Sequence, residues 1–261
     1  MSLILKTKNA HPNDCLIEFD EKPHVYYVNG VSIDSSVTTF VHKKFPKFDA
    51  IKVSKMLVKK HFENDKSPYY NMTEEQIRKS WTDLGTKSSV AGTHLHNAIE
   101  YYYNDVKDRI KSEILDCIEW KYFESFLADF PNLKAYRTEW EIFDTDLNLA
   151  GSIDMVFKDE NGDFWIYDWK RSKEIKNSND FETGFEPLDH LPNANYWHYS
   201  LQLNIYKRIL ETKYDIHIKG MCLIVLHENH KNYMRYELPE LAEEVDALFK
   251  ERRENMKKNV L

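Results

Sequence analysis

The sequence predicts an α/β (α+β) fold in which a mixed central sheet is flanked by helices. Three observations carry that expectation. From residue 112 onward the hydrophobic periodicity reads as helix, three strands, helix, two strands, helix. With 42% hydrophobic and 14% aromatic residues, the 261-residue chain can bury one large core or two small ones. Only 7 Gly and 8 Pro interrupt it, and it holds no repeat or low-complexity tract, so its elements form one series.

Residues 16–19 and 24–28 read as short strands, followed by an Asn29-Gly30 turn. Residues 36–62 read as two short helices broken at Pro46, the second capped by Asp49. Thr73 with Gln76 three positions later is a capping box and opens a helix, which is expected to lapse at Gly85 and Gly92 and to re-form over 91–103. Residues 1–90 are thus an N-terminal hairpin and helical elaboration, and residues 91–261 the core. Over 112–130, Ile114, Leu115, Ile118, Tyr122, Phe126 and Leu127 recur at helical spacing until Pro131. Strands follow at 134–143, 149–158 and 164–171, the last two joined at Asn161-Gly162. Residues 174–198 form a loop long enough to call for a functional reason. A helix over 199–212, strands over 220–226 and 233–238, and a helix over 239–256 begun by Pro239 close the chain.

Thirty-six Lys and Arg against 43 Asp and Glu give a net charge of −7, which argues against a generic nucleic-acid coat protein but leaves local patches open. Seven lysines (43, 44, 47, 52, 55, 59 and 60) stand against Asp49 alone, and Lys250, Arg252, Arg253, Lys257 and Lys258 against Glu251 and Glu254. Without an accompanying site such runs are solvated helix faces. Cys15, Cys117 and Cys222 are scattered and odd in number, which excludes a disulfide framework, a zinc ribbon and a four-Cys iron–sulfur cluster. No apolar run approaches the ~20 residues of a membrane helix, and residues 1–6 are too short for a signal peptide's core. A soluble intracellular protein, with no membrane partner, is expected.

Chemistry concentrates in two neighbouring strands, Gly151-Ser152-Ile153-Asp154 and Ile166-Tyr167-Asp168-Trp169-Lys170. Alternation sets Asp168 and Lys170 on one face, Tyr167 and Trp169 on the other. A D-x-K triplet alone says little, since Asp20-Glu21-Lys22 and Asp105-Val106-Lys107 repeat it. A two-residue Asn161-Gly162 turn would face Asp168 with Met155. A Glu160-Asn161-Gly162 loop, with Gly162 left-handed as in a G1 bulge, pairs Asp159 with Asp163 and sets Asp154 across from Asp168, and this geometry is expected. Cross-strand Cβ atoms lie ~5 Å apart, so both carboxylates can reach one cation at ~2.1 Å bond lengths. Like charges so placed call for a cation or a paired lysine. The plainer alternative is an Asp154–Lys170 ion pair at the sheet end. Oxygen donors suit Mg²⁺ or Mn²⁺, one ion or two, which would activate water and neutralise a phosphate. Lys170 would orient or deprotonate the nucleophile and stabilise the transition state.

Two helical pairs join this set. His96 and Glu100 stand four apart on one face and could add an imidazole and a carboxylate, with His94 a competing candidate and a structural role the common one for a helical His. Gln202 and Tyr206 are likewise four apart.

Taken in order, G-T-x-x-H-x-x-x-E from Gly92, G-S-I-D from Gly151, Y-D-W-K from Tyr167 and Q-x-x-x-Y from Gln202 resemble the RecB-like branch of the PD-(D/E)XK nucleases. Within it the chain is most similar to lambda-type and mitochondrial genome maintenance exonucleases and to RecB-like nucleases of large DNA viruses. The resemblance implies a restriction-endonuclease-like αβββαβ core. It implies that His96, Asp154, Asp168 and the Trp169 backbone carbonyl hold metal, with Glu100 a further ligand and Glu139 a weaker candidate. Lys170 would be the catalytic lysine beside Asp168 and Asp154, and Gln202 and Tyr206 would hold substrate or shape the wall of the site. The superfamily's Pro is replaced by Ile153, and the four-Cys cluster of some relatives is missing, so no iron–sulfur cluster is expected.

A nuclease site gives the basic runs a use. Lys43, Lys44, Arg171 and Lys173 become candidate phosphate contacts, and Tyr196 and Trp197, with Phe181 and Phe185 on the same loop, candidate stacking surfaces for unpaired bases. The expected activity is metal-dependent and end-dependent DNA exonucleolysis, on single strands or duplex ends, in recombination, repair or viral genome processing. A strand-annealing or replication protein would be its partner, in cytoplasm, nucleus or a viral factory. Two other readings stay open: a structure-selective endonuclease or RNase with the same residues, and a catalytically idle nuclease fold that binds DNA or a partner.

Overall fold

The computed structural model describes residues 4–61 and 64–258. A short helix, α1 (Ile4–Lys8), precedes strands β1 (Ile17–Asp20), β2 (Val25–Val28) and β3 (Val31–Ser32), which form an antiparallel sheet in that order. Asn29 and Gly30 both hold positive φ, 51° and 76°, the conformation for which an Asn-Gly hairpin turn is suited.

The second sheet carries the site. After β4 (Ser35–Ser36) come helices α2 (Val37–His42), α3 (Ala50–His61), α4 (Glu74–Tyr103), α5 (Ser112–Leu115) and α6 (Ile118–Asp129). Strands β5 (Lys134–Asp144), β6 (Leu149–Lys158) and β7 (Phe164–Lys170) follow, then α7 (Asn195–Lys213), β8 (Ile218–Val225), β9 (Met234–Glu237) and α8 (Ala242–Lys258). The six strands run in the order β4-β6-β7-β8-β9, with β5 on the other edge of β6. Pairing is antiparallel for β5–β6, β6–β7 and β8–β9 and parallel for β4–β6 and β7–β8, so the sheet is mixed, as expected.

Two strands share one edge of β6. β4 takes Leu149 and Ala150, and β7 takes Met155 to Lys158. Between them, residues 151–154 face no strand on that edge, and the sheet opens there.

Both faces of the sheet are covered. On one, Ile153, Val156, Ile166, Met221 and Leu223 pack with Leu203, Tyr206 and Leu210 of α7, and with residues of α2 and α8. On the other, Met155, Phe157, Tyr167 and Trp169 pack with Leu95 and Ile99 of α4 and Phe123 and Phe126 of α6. Period-two alternation in β7 therefore sends Tyr167 and Trp169 into the second core and leaves Asp168 and Lys170 to the first side.

Several elements differ from expectation. α4 runs unbroken through Gly85 and Gly92, because a helical glycine costs only ~1 kcal/mol and no proline interrupts. The helix expected over 112–130 is two, parted at Cys117, whose backbone is extended (φ −75°, ψ 156°). α7 begins at Asn195, four residues early, and α8 begins at Ala242, so Pro239 precedes it. Phe62, the expected end of the second helix, lies outside the described residues. Compact units also divide elsewhere than at residue 90: Met1–Pro46 with Leu95–Leu261 form one, Lys47–His94 the other. In the smaller unit Arg78 Nη1 donates to Ser54 Oγ at 3.0 Å and Trp81 Nε1 to Tyr69 Oη at 3.2 Å. Among the described residues no helix is long and apolar enough to cross a membrane.

Candidate active site

The β6–β7 turn sets the geometry. Asp159 N–H donates to Asp163 O at 3.0 Å, Gly162 N–H to Asp159 O at 3.1 Å, and Gly162 holds φ 86°, a three-residue loop with a left-handed glycine. The ladder then runs from Lys158–Phe164 to Met155–Tyr167. One step further, Asp154 falls opposite Asp168. There the strands part, and Trp169 N–H donates to Asp154 Oδ2 at 2.9 Å in place of a ladder bond.

A second strand supplies an acid. The rung that would pair Glu139 with Asp154 is missing from the β5–β6 ladder, between Thr138–Met155 and Trp140–Ile153. Glu139 sits there at φ 41°, uncommon outside glycine and a form of strain that collects at functional sites. Ser152 Oγ donates to Glu139 Oε2 at 3.1 Å. From α4, His96 Nδ1 lies 3.5 Å from Asp154 Oδ2. Ligand atoms of His96, Glu139 and Asp154 all lie within 4.8 Å of one another, close enough to hold one metal ion.

Asp168 stands beside this trio, with Oδ2 2.6 Å from Lys170 Nζ. That oxygen is buried and, the ammonium apart, accepts no hydrogen bond from the described residues. A buried carboxylate oxygen with open acceptor capacity, next to an imidazole and two more carboxylates, fits Mg²⁺ or Mn²⁺. Burial pushes the Asp168 carboxyl up, against the pull of Lys170. Burial also disfavours charge on Lys170, but Asp168 and Asp154 outweigh it and hold the ammonium above the ordinary lysine range. Glu139 is driven well up by burial, then by the charges of Asp154 and Glu100. Glu139, Asp154 and Asp168, this close, repel unless a cation joins them.

α7 walls the site. Lys170 Nζ lies 5.0 Å from the centre of the Tyr199 ring, and Gln202 Nε2 donates to Tyr206 Oη at 3.2 Å. Tyr206 crosses over Gly151, where an added Cβ would stand 2.7 Å from Cε1 and 2.8 Å from Oη. Gly151→Ala is therefore expected to destabilise the fold by ~1–3 kcal/mol, read in urea melts, because the buried ring must move.

Other candidates lie apart from this cluster. Glu100, one turn past His96, is close enough to raise Glu139, and burial raises its own carboxyl, but it does not join the trio. Lys44 Nζ lies 2.5 Å from Glu251 Oε2, and Arg171 lies 2.9 Å from Glu119 and 3.4 Å from Glu228. Lys43 and Lys173 are exposed. Trp197 Nε1 donates to Asn177 O at 2.9 Å, and Tyr196 stacks edgewise on Trp197, which makes both supports of the loop before α7. Sequence reasoning missed Ser152 and Tyr199 and gave Glu139 little weight; Arg137, Glu141 and Asp144 share its strand, so nothing local singled it out.

A mixed sheet that opens over two aspartates, with a lysine two residues past the second, defines a nuclease-type site. The chain belongs to the PD-(D/E)XK nuclease superfamily, whose family model matches residues 67–260. No curated protein matches it. It is similar to a solved protein from Eubacterium rectale, provisionally described as an exonuclease, at 12% identity and TM-score 0.39, over 64% of this chain and 65% of that one. It is also similar to SSO0001, at 19% identity and TM-score 0.29, over 63% and 74% of the two chains. The chain thus spans less than two thirds of the first structure's length, and at these scores neither likeness carries an argument.

Proposed function

We propose that the chain is a divalent-metal-dependent DNA nuclease of the RecB-like branch that acts at strand ends. The observation that carries this reading is the meeting of His96, Glu139 and Asp154 with the Asp168–Lys170 pair where β6 and β7 part. His96, Glu139, Asp154 and Asp168, with the Trp169 carbonyl, would hold the metal. Such an ion supplies an activated water at neutral pH and charge neutralisation at the phosphate. Lys170, charged at neutral pH like any lysine with carboxylate partners, places a positive charge where the phosphate gains negative charge. Gln202 and Tyr206 hold the opposite wall, and Gly151 lets that wall close over β6.

Basic surface supports a nucleic-acid substrate. On α3, Lys52, Lys55, Lys59 and Lys60 are all exposed and no acid lies within the helix. Contacts of this type weaken with salt.

End-labelled linear duplex, linear single strand and closed circular DNA, each with Mg²⁺ or Mn²⁺, test the reading. Loss of linear forms with circles intact is expected. Cut circles would make the protein an endonuclease, and no metal-dependent cutting of DNA or RNA would leave the binding module. Mn²⁺ is expected to raise the melting temperature: at a concentration 100 times Kd it contributes ~2.7 kcal/mol. Glu139→Gln should shrink that shift; an equal shift in the variant would remove Glu139 from the metal site.

A further inference from the structure

The loop before α7 is not slack chain. Lys176 N–H donates to Asn195 Oδ1 at 2.7 Å, Tyr196 N–H returns a bond to Lys176 O at 3.0 Å, and Asn193 N–H donates to Glu182 O at 2.8 Å. Asn179 pins the tip: its Oδ1 accepts from Phe181 N–H at 3.0 Å and Glu182 N–H at 3.2 Å, and its Nδ2 donates to Asn193 O at 2.8 Å. A backbone held at so many points loses little further freedom when a ligand binds it.

At the tip, Phe181 is 94% exposed. It is the most exposed large hydrophobic of the described residues, and no aromatic ring among them stacks on it. Beside it is a cavity of about 420 Å³, lined by Lys176, Ser178, Asn179, Asp180, Phe181 and Asn193 among others. The cavity is within the size range of small-ligand sites, roughly 300–1,000 Å³. The Asn179 and Asn193 amides are occupied in holding the loop. The Ser178 hydroxyl and the Asp180 carboxylate bond no other described residue, and the Lys176 ammonium has only the exposed Glu174, 3.6 Å away.

An exposed aromatic ring, with a carboxylate, a hydroxyl and a cation lining the same cavity, matches the groups of an unpaired nucleotide. Bases stack on aromatic rings and are read at their edges; Asp accepts from exocyclic amino groups, and Lys meets phosphate. We propose that this cavity is a subsite for one unpaired nucleotide of the DNA strand, its base stacked on Phe181 and its amino edge toward Asp180. The inference rests on the nuclease reading and extends it: the substrate near this loop is single-stranded.

Binding of fluorescently labelled single-stranded oligonucleotides in EDTA, followed by anisotropy, tests it for the unaltered protein, Phe181→Ala and Phe181→Trp. Phe181→Ala should bind about 5- to 150-fold more weakly, the factor to which a stacking energy of ~1–3 kcal/mol converts, and Phe181→Trp should restore binding. An exposed ring leaves the melting temperature unchanged. An abasic nucleotide moved along the strand should, at one position, weaken the unaltered protein by the same factor and Phe181→Ala not at all. Equal affinity of the unaltered protein and Phe181→Ala, or abasic effects alike in both, would overturn the subsite while metal-dependent cleavage kept the nuclease reading. No binding and no cleavage by the unaltered protein would overturn both.

Discussion

Lys170→Ala is expected to lower metal-dependent DNA cleavage by ~10²–10⁴-fold, the range for loss of a positioned catalytic group. Its ammonium is 2.6 Å from Asp168 and 5.0 Å from the Tyr199 ring centre, so its position is set from two sides. Alanine removes that charge and leaves Asp168, 3% exposed, without its counter-ion. Asp168→Asn should lose activity over the same range while Lys170 stays in place. Lys170→Arg should not recover it, since a planar guanidinium cannot occupy the space of a compact ammonium. Initial rates on end-labelled DNA, beside melts that show each variant folded, decide the matter. A Lys170→Ala protein within threefold or so of the unaltered rate would remove Lys170 from the mechanism.

Asp14→Ala is expected to destabilise the fold by ~3–5 kcal/mol. Arg137, on β5, is only 1% exposed, and its Nη1 lies 2.7 Å from Asp14 Oδ2 and 3.0 Å from Asn9 O. Asp14 also accepts from Trp140 Nε1 at 2.9 Å, and the guanidinium lies 4.5 Å from the Trp140 ring. Arg137 Nε has no acceptor among the described residues, so loss of Asp14 strands a buried charge that is already under-bonded. For a chain of this size the melting temperature should fall by roughly 6–20 °C. Burial raises the Asp14 carboxyl, but the Arg137 and His11 bonds outweigh it and hold it below the usual carboxylate range. A lowered folded-state pKa means that this contribution is complete above ~3.9, the unfolded value, and is lost as pH falls through the folded value. Asp14→Asn and the unaltered protein should therefore converge in stability only in strong acid. A variant as stable as the parent at neutral pH would show that the pair is not a structural support.

Two features of the structure were each decided by residues close together in the chain. Asn161-Gly162 after Asp159 admits few hairpin loops, and period-two alternation then dictates which side chains share a face, so the alignment of Asp154 with Asp168 and Lys170 was legible from the chain alone. The capping box at Thr73 was legible for the same reason: Thr73 N–H donates to Gln76 Oε1 at 2.8 Å and Gln76 N–H to Thr73 Oγ1 at 3.2 Å. Local bonds are written in local sequence.

Glu139 belongs to the other category. Its place in the trio depends on the register of β5 against β6 and on a missing rung, and both follow from packing across the sheet rather than from its neighbours in sequence. β4 is two residues long, too short to show a period, yet by taking Leu149 and Ala150 it helps leave residues 151–154 open. Charge alone could not say which cations were free: Lys44 and Arg171 look like Lys43 and Lys173 in sequence, and only folding brings Glu251 and Glu119 to the first pair. The sequence by itself determined the strand order from β5 onward, the aspartate–lysine face and the class of chemistry. Tertiary structure decided the third acid, the gap in the sheet and the availability of each charge, because these depend on contacts between residues far apart along the chain.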